Sequence, residues 1–406
     1  MTMIKNITNV RGIKCWGAHT GVKSMRRDLA IIYSEVPAAA AAVFTQNKVR
    51  AEPVEISERN INTNHRAQVI VCNAGNANAC TGEQGRLGAE AMMKVTAEML
   101  NIPEEDVIIA STGLIGEPFP TEDVVNGIRN NIHKLSDEAK AGSFVANAIL
   151  TTDTFAKEGF VGFEHDGIQI NMGGIAKGSG MIHPNMATML AFVVTDLNIE
   201  NKLLDKTLRY CVDRSFNMIT VDGDTSTNDM VAIMANGMAD NTKIKSESDP
   251  GYIIFREKLL ELLTHLAKLI VSDGEGASKF IEYKVTKART EETARKLVRA
   301  ISDSTLVKTA MFGRDPNWGR IVAACGNAGI NFNYRKVNLF LGDQEKMVQV
   351  LEKGKPLDFD KNYIKKLLRE SQIRVHLEVN NGKESGMGWG SDLTTDYVLF
   401  NSVYTT

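Results

Sequence analysis

The 406-residue sequence has few prolines and cysteines, no surplus of charge of one sign and no long apolar run. Only 9 Pro stand beside 33 Gly, and 43% of the residues are hydrophobic, a composition that excludes disorder, collagen-like repeats and coiled coil. No run reaches the ~18 apolar residues of a membrane span, and the first ten residues lack the apolar core of a signal peptide. We therefore expect a soluble, unsecreted protein with no membrane partner.

The charge balance and the cysteines exclude further classes of protein. Lys and Arg number 47 against 49 Asp and Glu, a net charge of −2, so no positive surplus exists for a nucleic-acid partner. The cysteines are odd in number, widely scattered and without a C-x-x-C pair, which excludes a disulfide framework and a zinc knuckle. We interpret them as small buried residues of a cytoplasmic protein. They are Cys15, Cys72, Cys80, Cys211 and Cys325.

Short β-rich runs alternate with amphipathic helices along the chain. The apolar runs Gln68–Cys72 and Val107–Ala110 each precede a Gly-bearing loop and predict buried strands. This mixture predicts a layered α/β or α+β architecture but leaves the strand order open. Helices are predicted over 88–99, 255–270, 291–301 and 361–370.

The most unusual segment covers residues 173–192, where four glycines and His-Pro-Asn precede a strand predicted over Thr188–Val194. The order Lys-Gly-Ser at 177–179 excludes a Walker phosphate loop, which needs Gly-Lys-Ser/Thr. His183 has no second histidine at ligand spacing. We therefore interpret it as a turn residue rather than as a base or metal ligand.

The same segment has the features of a self-cleaving precursor. Small Ala187 precedes Thr188 at the start of the predicted strand, after a Gly-rich approach. The threonine hydroxyl would attack the preceding carbonyl, and water would hydrolyse the resulting ester. The freed α-amine, with a pKa of about 7.7–8.0, can then act as base for its own hydroxyl, so no catalytic triad is needed. Because Ala-Thr pairs are common, the residues alone leave this interpretation open.

Other loops have two interpretations each. Segment 110–116 suits an oxyanion site or a plain turn, and segment 73–82 offers three amides to a substrate or to its own backbone. Segment 220–229 does not match an EF-hand, which needs Gly and Glu at its sixth and twelfth positions, so we expect a polar structural turn. Glu275, between two glycines, suits a cationic ligand group or a solvated loop. Segment 312–320 is structural or ligand-binding.

Together these segments resemble the ornithine acetyltransferases (glutamate N-acetyltransferases) of arginine biosynthesis. Residues 177–190 resemble the self-cleavage signature of that family, and the resemblance extends from about Gly12 to the last residue. The family fold is an α/β sandwich that resembles N-terminal-nucleophile hydrolases with different connectivity. The other matching segments are 73–82, 111–116, 151–154, 273–277, 313–320 and 401–406.

The resemblance implies a role for each matching residue. Cleavage between Ala187 and Thr188 would give an α chain of residues 1–187 and a β chain of residues 188–406, assembled as α2β2. Thr188 would be the nucleophile of both cleavage and acetyl transfer, and Thr112 and Gly113 would form the oxyanion hole. No metal or cofactor is implied. The implied substrate-binding residues are Thr151 (or, one residue along, Thr152), Lys177, Thr188, Glu275, Asn401 and Thr406.

The implied reaction moves an acetyl group from N2-acetylornithine to Thr188 and then to glutamate. Lys177 can pair with the α-carboxylate that both amino acids share. Glu275 can pair with the δ-ammonium of ornithine, but it would repel the side-chain carboxylate of glutamate. No motif decides whether acetyl-CoA is a second donor, and we expect that it is.

Two alternatives remain open at this point. A self-cleaving aminopeptidase or amidase would use the same Thr188 and pass its acyl group to water. A non-enzymatic α/β binding protein would use the Asn- and Gly-rich loops to hold an amino acid, and its chain would stay uncleaved.

Overall fold

The computed structural model describes residues 5–183 and 189–403, within which helices and strands alternate. The strands are β1 Ile13–Ala18, β2 Leu29–Phe44, β3 Arg66–Asn76, β4 Val107–Leu114, β5 Lys157–His165, β6 Ile168–Lys177, β7 Leu190–Thr195, β8 Ile219–Thr220, β9 Met230–Ala235, β10 Phe280–Ala288, β11 Asn338–Asp343, β12 Met347–Glu352, β13 Lys355–Pro356, β14 Gln372–Glu378 and β15 Glu384–Ser391. The helices are α1 Glu52–Asn64, α2 Gly82–Leu100, α3 Thr121–Asn131, α4 Ala139–Ala148, α5 Asn201–Val212, α6 Pro250–Ser272, α7 Glu291–Ser302, α8 Thr305–Phe312, α9 Trp318–Gly326, α10 Lys361–Leu367 and α11 Thr395–Val403.

The first sheet has the strand order β4-β3-β2-β9-β7-β6-β5, and β1 pairs with β2. The pairs β3–β4 and β7–β9 are parallel. Residues of β7 and β9 are buried throughout, and so is most of β3 and β4, as expected for parallel strands covered on both faces. The predicted strands 68–72 and 107–110 are confirmed: they form the inner parts of β3 and β4 and lie side by side.

The first sheet combines strands that precede residue 188 in sequence with strands that follow it. Strand β9 lies between β2 and β7, and β7 lies between β9 and β6. Two strands that follow residue 188 in sequence are therefore inserted between two strands that precede it.

The second sheet has the strand order β13-β12-β11-β14-β10-β15-β8. Helix α6 contacts β5 and β6 of the first sheet and β15 of the second, while α7 packs on β10 and β15. The predicted layered α/β architecture is confirmed. So are the helices predicted over 88–99, 255–270 and 291–301, whose apolar faces are buried.

Two sequence predictions need correction. Helix α10 ends at Leu367 rather than at residue 370, because the chain turns before β14 begins at Gln372. All five cysteines are free, and four are buried as expected, but Cys80 is exposed in the loop between β3 and α2. Within 5–183 and 189–403, none of the helices combines the length and the apolar character needed to cross a bilayer.

Candidate active site

A cavity of about 210 Å³ opens beside the ends of β4 and β6. Its wall is completed by the segment between α4 and β5, by the loops that follow β8 and α6, and by helix α11. Ala187, Thr188 and Thr406 lie outside the described residues, so their predicted roles stay predictions. The structure brings the other predicted site residues together in the cavity wall: Thr112, Gly113, Thr151, Lys177, Glu275 and Asn401, with Thr152 beside Thr151.

The predicted oxyanion residues lie where β4 pairs with β3. Gly113 has φ +134° and stands opposite Gly75 in the parallel register. A Cβ at Gly113 would lie 2.3 Å from the carbonyl carbon of Gly75. Only glycine fits this position, because the backbone conformation and the close approach both exclude a side chain.

If Gly113 has the oxyanion role that the resemblance implies, we expect Gly113→Ala to reduce acetyl transfer by roughly 10²–10³-fold, the usual loss when one oxyanion donor is displaced. Gly116→Ala is the matched control, since Gly116 also has a positive φ, +83°, but no atom lies within 4 Å of its added Cβ. Steady-state rates and melting temperatures of both variants separate the loss of the oxyanion donor from the effect of backbone strain. Equal activity losses would show that backbone strain, not the position of the Gly113 amide, matters.

Lys177, the last residue of β6, is 3% exposed, and its Nζ donates to Thr112 Oγ1 at 3.2 Å. Burial lowers the pKa of its ammonium group; Asp153 opposes this shift and Lys157 adds to it. An ammonium group only donates hydrogen bonds. The Thr112 hydroxyl therefore accepts from Lys177, which leaves its own hydrogen available to donate elsewhere.

A buried ion-pair network supports this wall. The Nζ of Lys157 lies 2.7 Å from Asp153 Oδ1 and 2.6 Å from Asp273 Oδ2, and all three side chains are almost fully buried. Burial disfavours the charge of Asp153, but Lys177 and Lys157 outweigh it and lower the pKa of Asp153 to about 2. Sequence reasoning did not assign these three residues. The signal was their position in or beside the recognised segments 151–154 and 273–277.

The network fixes three loops that meet at the cavity. Asp153 accepts from the backbone N–H of Gly178 at 2.7 Å and from that of Thr151 at 3.0 Å. The carbonyl of Asp273 accepts from the Ser179 hydroxyl at 2.5 Å. The positions of Thr151, of the turn after Lys177 and of the Glu275 loop are therefore coupled.

Glu275 is part of the cavity wall and contacts α11. Its Oε2 accepts from Asn401 Nδ2 at 3.1 Å. A Cβ on Gly180 would lie 2.2 Å from the same oxygen, so the small residue at 180 leaves room for the carboxylate. The structure thus places Glu275 and Asn401 as a hydrogen-bonded pair at one side of the cavity.

Loop 220–229, interpreted from sequence as a structural turn, also lines the cavity. Asp222 accepts from the backbone N–H groups of Met181 at 2.6 Å and Ile182 at 2.9 Å. Burial raises the pKa of Asp222 to about 6, against these hydrogen bonds. Burial and the neighbouring Asp222 also raise the pKa of Tyr397. The polar residues of this loop were visible in the sequence, but their place beside the cavity was not.

The amides of loop 73–82 hold backbone rather than a substrate. Asn73, Asn76 and Asn78 each donate through Nδ2 to backbone carbonyl groups, and Ala77 is the residue of this loop in the cavity wall. Of the two interpretations that the sequence left open, these hydrogen bonds favour the structural one, in which the amides hold the backbone of the loop and of neighbouring segments.

The remaining motifs lie in turns. His183 Nδ1 is 3.3 Å from Asp303 Oδ1. Among residues 5–183 and 189–403, no cluster of three or more His, Cys, Asp or Glu suits a metal ion. Segment 312–320 joins α8 to α9 and is not among the residues that line the cavity.

The cavity presents one buried ammonium group, several carboxyl groups and hydroxyls within a small volume. Such a lining fits a small molecule that carries both a carboxylate and a cation. Fold and cavity thus define a layered α/β protein with a small polar cavity of suitable chemistry for a zwitterionic molecule. The chain belongs to the ArgJ family, whose sequence profile matches residues 14–406.

One curated relative matches over nearly the full length, and two solved chains each match less than half of this chain. The arginine biosynthesis bifunctional protein ArgJ of Caldanaerobacter subterraneus subsp. tengcongensis is 47% identical, over 98% of this chain and 97% of the relative. A crystal structure of arginine biosynthesis bifunctional protein argJ from Bacillus halodurans is 43% identical, covers 45% of this chain and 95% of that chain, and has a TM-score of 0.43. The ornithine acetyltransferase of Mycobacterium tuberculosis, solved in complex with ornithine, is 30% identical, covers 44% of this chain and 95% of that chain, and has a TM-score of 0.39.

Proposed function

We propose that the protein is a glutamate N-acetyltransferase of arginine biosynthesis, acting in the cytoplasm. It transfers the acetyl group of N2-acetylornithine to glutamate through an acetyl ester of Thr188. Family membership over residues 14–406 supports this function and favours it over an aminopeptidase or amidase. The observation that carries it is the convergence of Thr112, Gly113, Lys177 and Glu275 on one cavity sized for a small molecule.

The chain matures by cleavage between Ala187 and Thr188 and assembles as α2β2. Two features support cleavage at this position. The N–H of Met189 donates to Asp229 Oδ1 at 2.7 Å, and the buried strand β7 begins at the next residue, Leu190. The interleaved strand order of the first sheet would hold residues 1–187 and 188–406 together after the cut.

Acetyl transfer then follows from the chemistry of the site. The α-amine of Thr188 takes the hydroxyl proton as Oγ attacks the acetyl carbonyl, and it returns that proton to the leaving amine of ornithine. The Gly113 amide and the Thr112 hydroxyl stabilise the oxyanion. Lys177 donates to Thr112 Oγ1, so the Thr112 hydrogen is free for the oxyanion.

Lys177 has further N–H donors for the α-carboxylate that ornithine and glutamate share. Glu275 takes the δ-ammonium of ornithine. When glutamate binds, the Nδ2 group of Asn401, which donates to Glu275 Oε2 and to the Tyr397 carbonyl, offsets part of the negative charge of Glu275. One cavity thus serves both amino acids in turn.

Purified protein incubated with N2-acetylornithine and glutamate should form ornithine and N-acetylglutamate in equal amounts. Acetylornithine alone should add one acetyl group to the β chain, visible by mass spectrometry. The same assay with acetyl-CoA tests the second donor, for which we expect thiol release in the presence of glutamate. Release of acetate instead of N-acetylglutamate would identify a hydrolase and contradict the proposal.

Glu275→Gln should lower kcat/KM for acetylornithine by more than that for glutamate, because only ornithine carries the cation. Removing one side of a charge pair at a partly desolvated site typically costs about 2 kcal/mol or more, close to a 30-fold change. Half-reaction rates measured separately for the two amino acids provide the comparison. Asn401→Asp is the companion variant, since it adds a like charge 3.1 Å from Glu275 Oε2 and should weaken glutamate binding first. Equal losses on both half-reactions for Glu275→Gln would remove Glu275 from the ornithine side.

A further inference from the structure

The ends of β3 and β4, where the predicted oxyanion residues lie, do not form a regular pair. Their parallel register shifts between Gly75 and Asn76, where Gly75 faces Gly113 and Asn76 faces Thr112. A shift of this kind interrupts the ladder of backbone hydrogen bonds, and such irregularities are frequent next to active sites. The buried backbone around Thr112 therefore depends on hydrogen bonds from outside the two strands.

Asn228, in the loop before β9, supplies two such hydrogen bonds. Its Nδ2 group donates to the carbonyl of Ala77 at 2.6 Å and to the carbonyl of Ser111 at 2.8 Å. The first carbonyl directly follows β3 and the second belongs to β4. Asn228 thus bridges the two strands at the irregular end of their pairing.

The carboxamide of Asn228 is itself held in one orientation. The Thr227 hydroxyl donates to its Oδ1, and the Ser226 hydroxyl accepts from the backbone N–H of Asn228 at 3.1 Å. Asn228 is 5% exposed and Ser111 is 1% exposed, so water has little access to these hydrogen bonds. The side chain is therefore a fixed support for β4.

No step of the proposed acetyl transfer involves Asn228, although this residue borders the cavity. The Ser111 carbonyl belongs to the same planar peptide unit as the Thr112 N–H, so Asn228 fixes the backbone of Thr112. Lys177 fixes the side chain of Thr112 by donating to its Oγ1. We propose that Asn228 is a positioning residue that places the Thr112 hydroxyl in the oxyanion hole. This inference rests on the proposed function.

The hydrogen bonds of Asn228 separate this role from substrate binding. A carboxamide NH2 group has two hydrogens, and the two backbone carbonyl groups take both of them. The side chain therefore has no N–H group left for a substrate. Because an oxyanion forms only as the reaction proceeds, a displaced Thr112 hydroxyl should lower kcat and leave KM nearly unchanged.

Asn60 provides a matched control at the opposite end of β4. Its Nδ2 group donates to the carbonyl of Glu104 at 3.1 Å and to that of Val107, the first residue of β4, at 2.9 Å. Asn60 is 3% exposed and is not among the residues that line the cavity. Alanine at either position thus removes two buried hydrogen bonds to backbone carbonyl groups, one of them on the same strand.

The experiment measures melting temperatures, and kcat and KM for acetylornithine on the cleaved fraction. Asn228→Ala should lower kcat by about 10- to 30-fold, part of the loss expected when an oxyanion donor is displaced, with KM within about twofold of wild type. Asn60→Ala should lower the melting temperature and leave both constants within about twofold. Equal losses of kcat in the two variants would overturn the role of Asn228 and leave the proposed function intact.

A double-mutant cycle tests whether Asn228 acts through Thr112. In a Thr112→Val background the hydroxyl is already absent, so Asn228→Ala should lower kcat by less than about threefold further. A purely structural role predicts the same fold-loss in both backgrounds, and that result would contradict the inference.

Asn228→Asp serves if Asn228→Ala does not fold or stays uncleaved, with Asn60→Asp as its control. Aspartate keeps the size of the side chain and removes at least one of the two N–H donors. A loss of kcat at unchanged KM, absent from the control, supports the inference, whereas a folded Asn228→Asp protein with wild-type kcat overturns it. A wild-type protein that transfers no acetyl group would refute the proposed function itself, and this inference with it.

Discussion

A Thr188→Ala chain should stay at 44.6 kDa and transfer no acetyl group. The substitution removes the only oxygen of that side chain, so neither the acyl shift at Ala187 nor an acetyl ester can form. A denaturing gel checks cleavage, and formation of N-acetylglutamate checks transfer. The expected effect is complete on both counts, because the proposed mechanism makes one hydroxyl the nucleophile of both reactions.

Thr188→Ser is the control for this experiment. It keeps the hydroxyl and loses the methyl group that restricts the rotamer, so we expect slow cleavage and weak transfer. In the wild type, N-terminal sequencing of the β chain should read Thr-Met-Leu-Ala-Phe. An uncleaved Thr188→Ala protein that still transfers acetyl groups would falsify the mechanism.

Lys177→Ala should cost about 2–4 kcal/mol of transition-state stabilisation, or roughly 30- to 1,000-fold in kcat/KM for both amino acids. The substitution removes a buried cation from the cavity wall. It also removes the donor that orients the Thr112 hydroxyl and one of the two cations that face Asp153. We therefore expect KM to rise for both substrates, because both carry the α-carboxylate, and kcat to fall through the oxyanion hole.

Lys279→Ala is the matched control for the lysine prediction. Lys279 is 6% exposed, donates to the carbonyl of Glu370 at 3.0 Å and does not line the cavity. Its loss should lower the melting temperature and leave KM unchanged. If the two variants raised KM equally, the effect at Lys177 would be one of general destabilisation.

Local patterns predicted much of the fold. Strands β3 and β4 follow from short apolar runs, and α2, α6 and α7 from apolar spacing, because each pattern depends on nearby residues only. The parallel contact between β3 and β4, which brings Gly75 against Gly113, depends on residues far apart in sequence. No local pattern encodes such a pairing, and the sequence left the strand order open.

The candidate site was predictable to a similar extent. Lys177 and Glu275 are found by their unusual Gly-rich surroundings and by the family resemblance. The pairing of Lys157 with Asp153 and Asp273 could not be predicted from the sequence, since Lys157 and Asp273 are 116 positions apart. The buried Asn228 resembles any polar loop residue in the sequence, and only its hydrogen bonds to two distant carbonyl groups distinguish it.

If the chain is cut at 187–188 as proposed, the insertion of β7 and β9 between β2 and β6 sets the order of folding and cleavage. Strands β7 and β9 can take their places between β2 and β6 most readily while the polypeptide is continuous, because the linkage keeps the segments at high local concentration. Once the peptide bond at 187–188 is hydrolysed, unfolding of the α–β pair becomes a dissociation. The melting temperature of the mature enzyme should then rise with protein concentration, because unfolding separates one α chain from one β chain. The melting temperature of the uncut Thr188→Ala chain should lack this part of the concentration dependence.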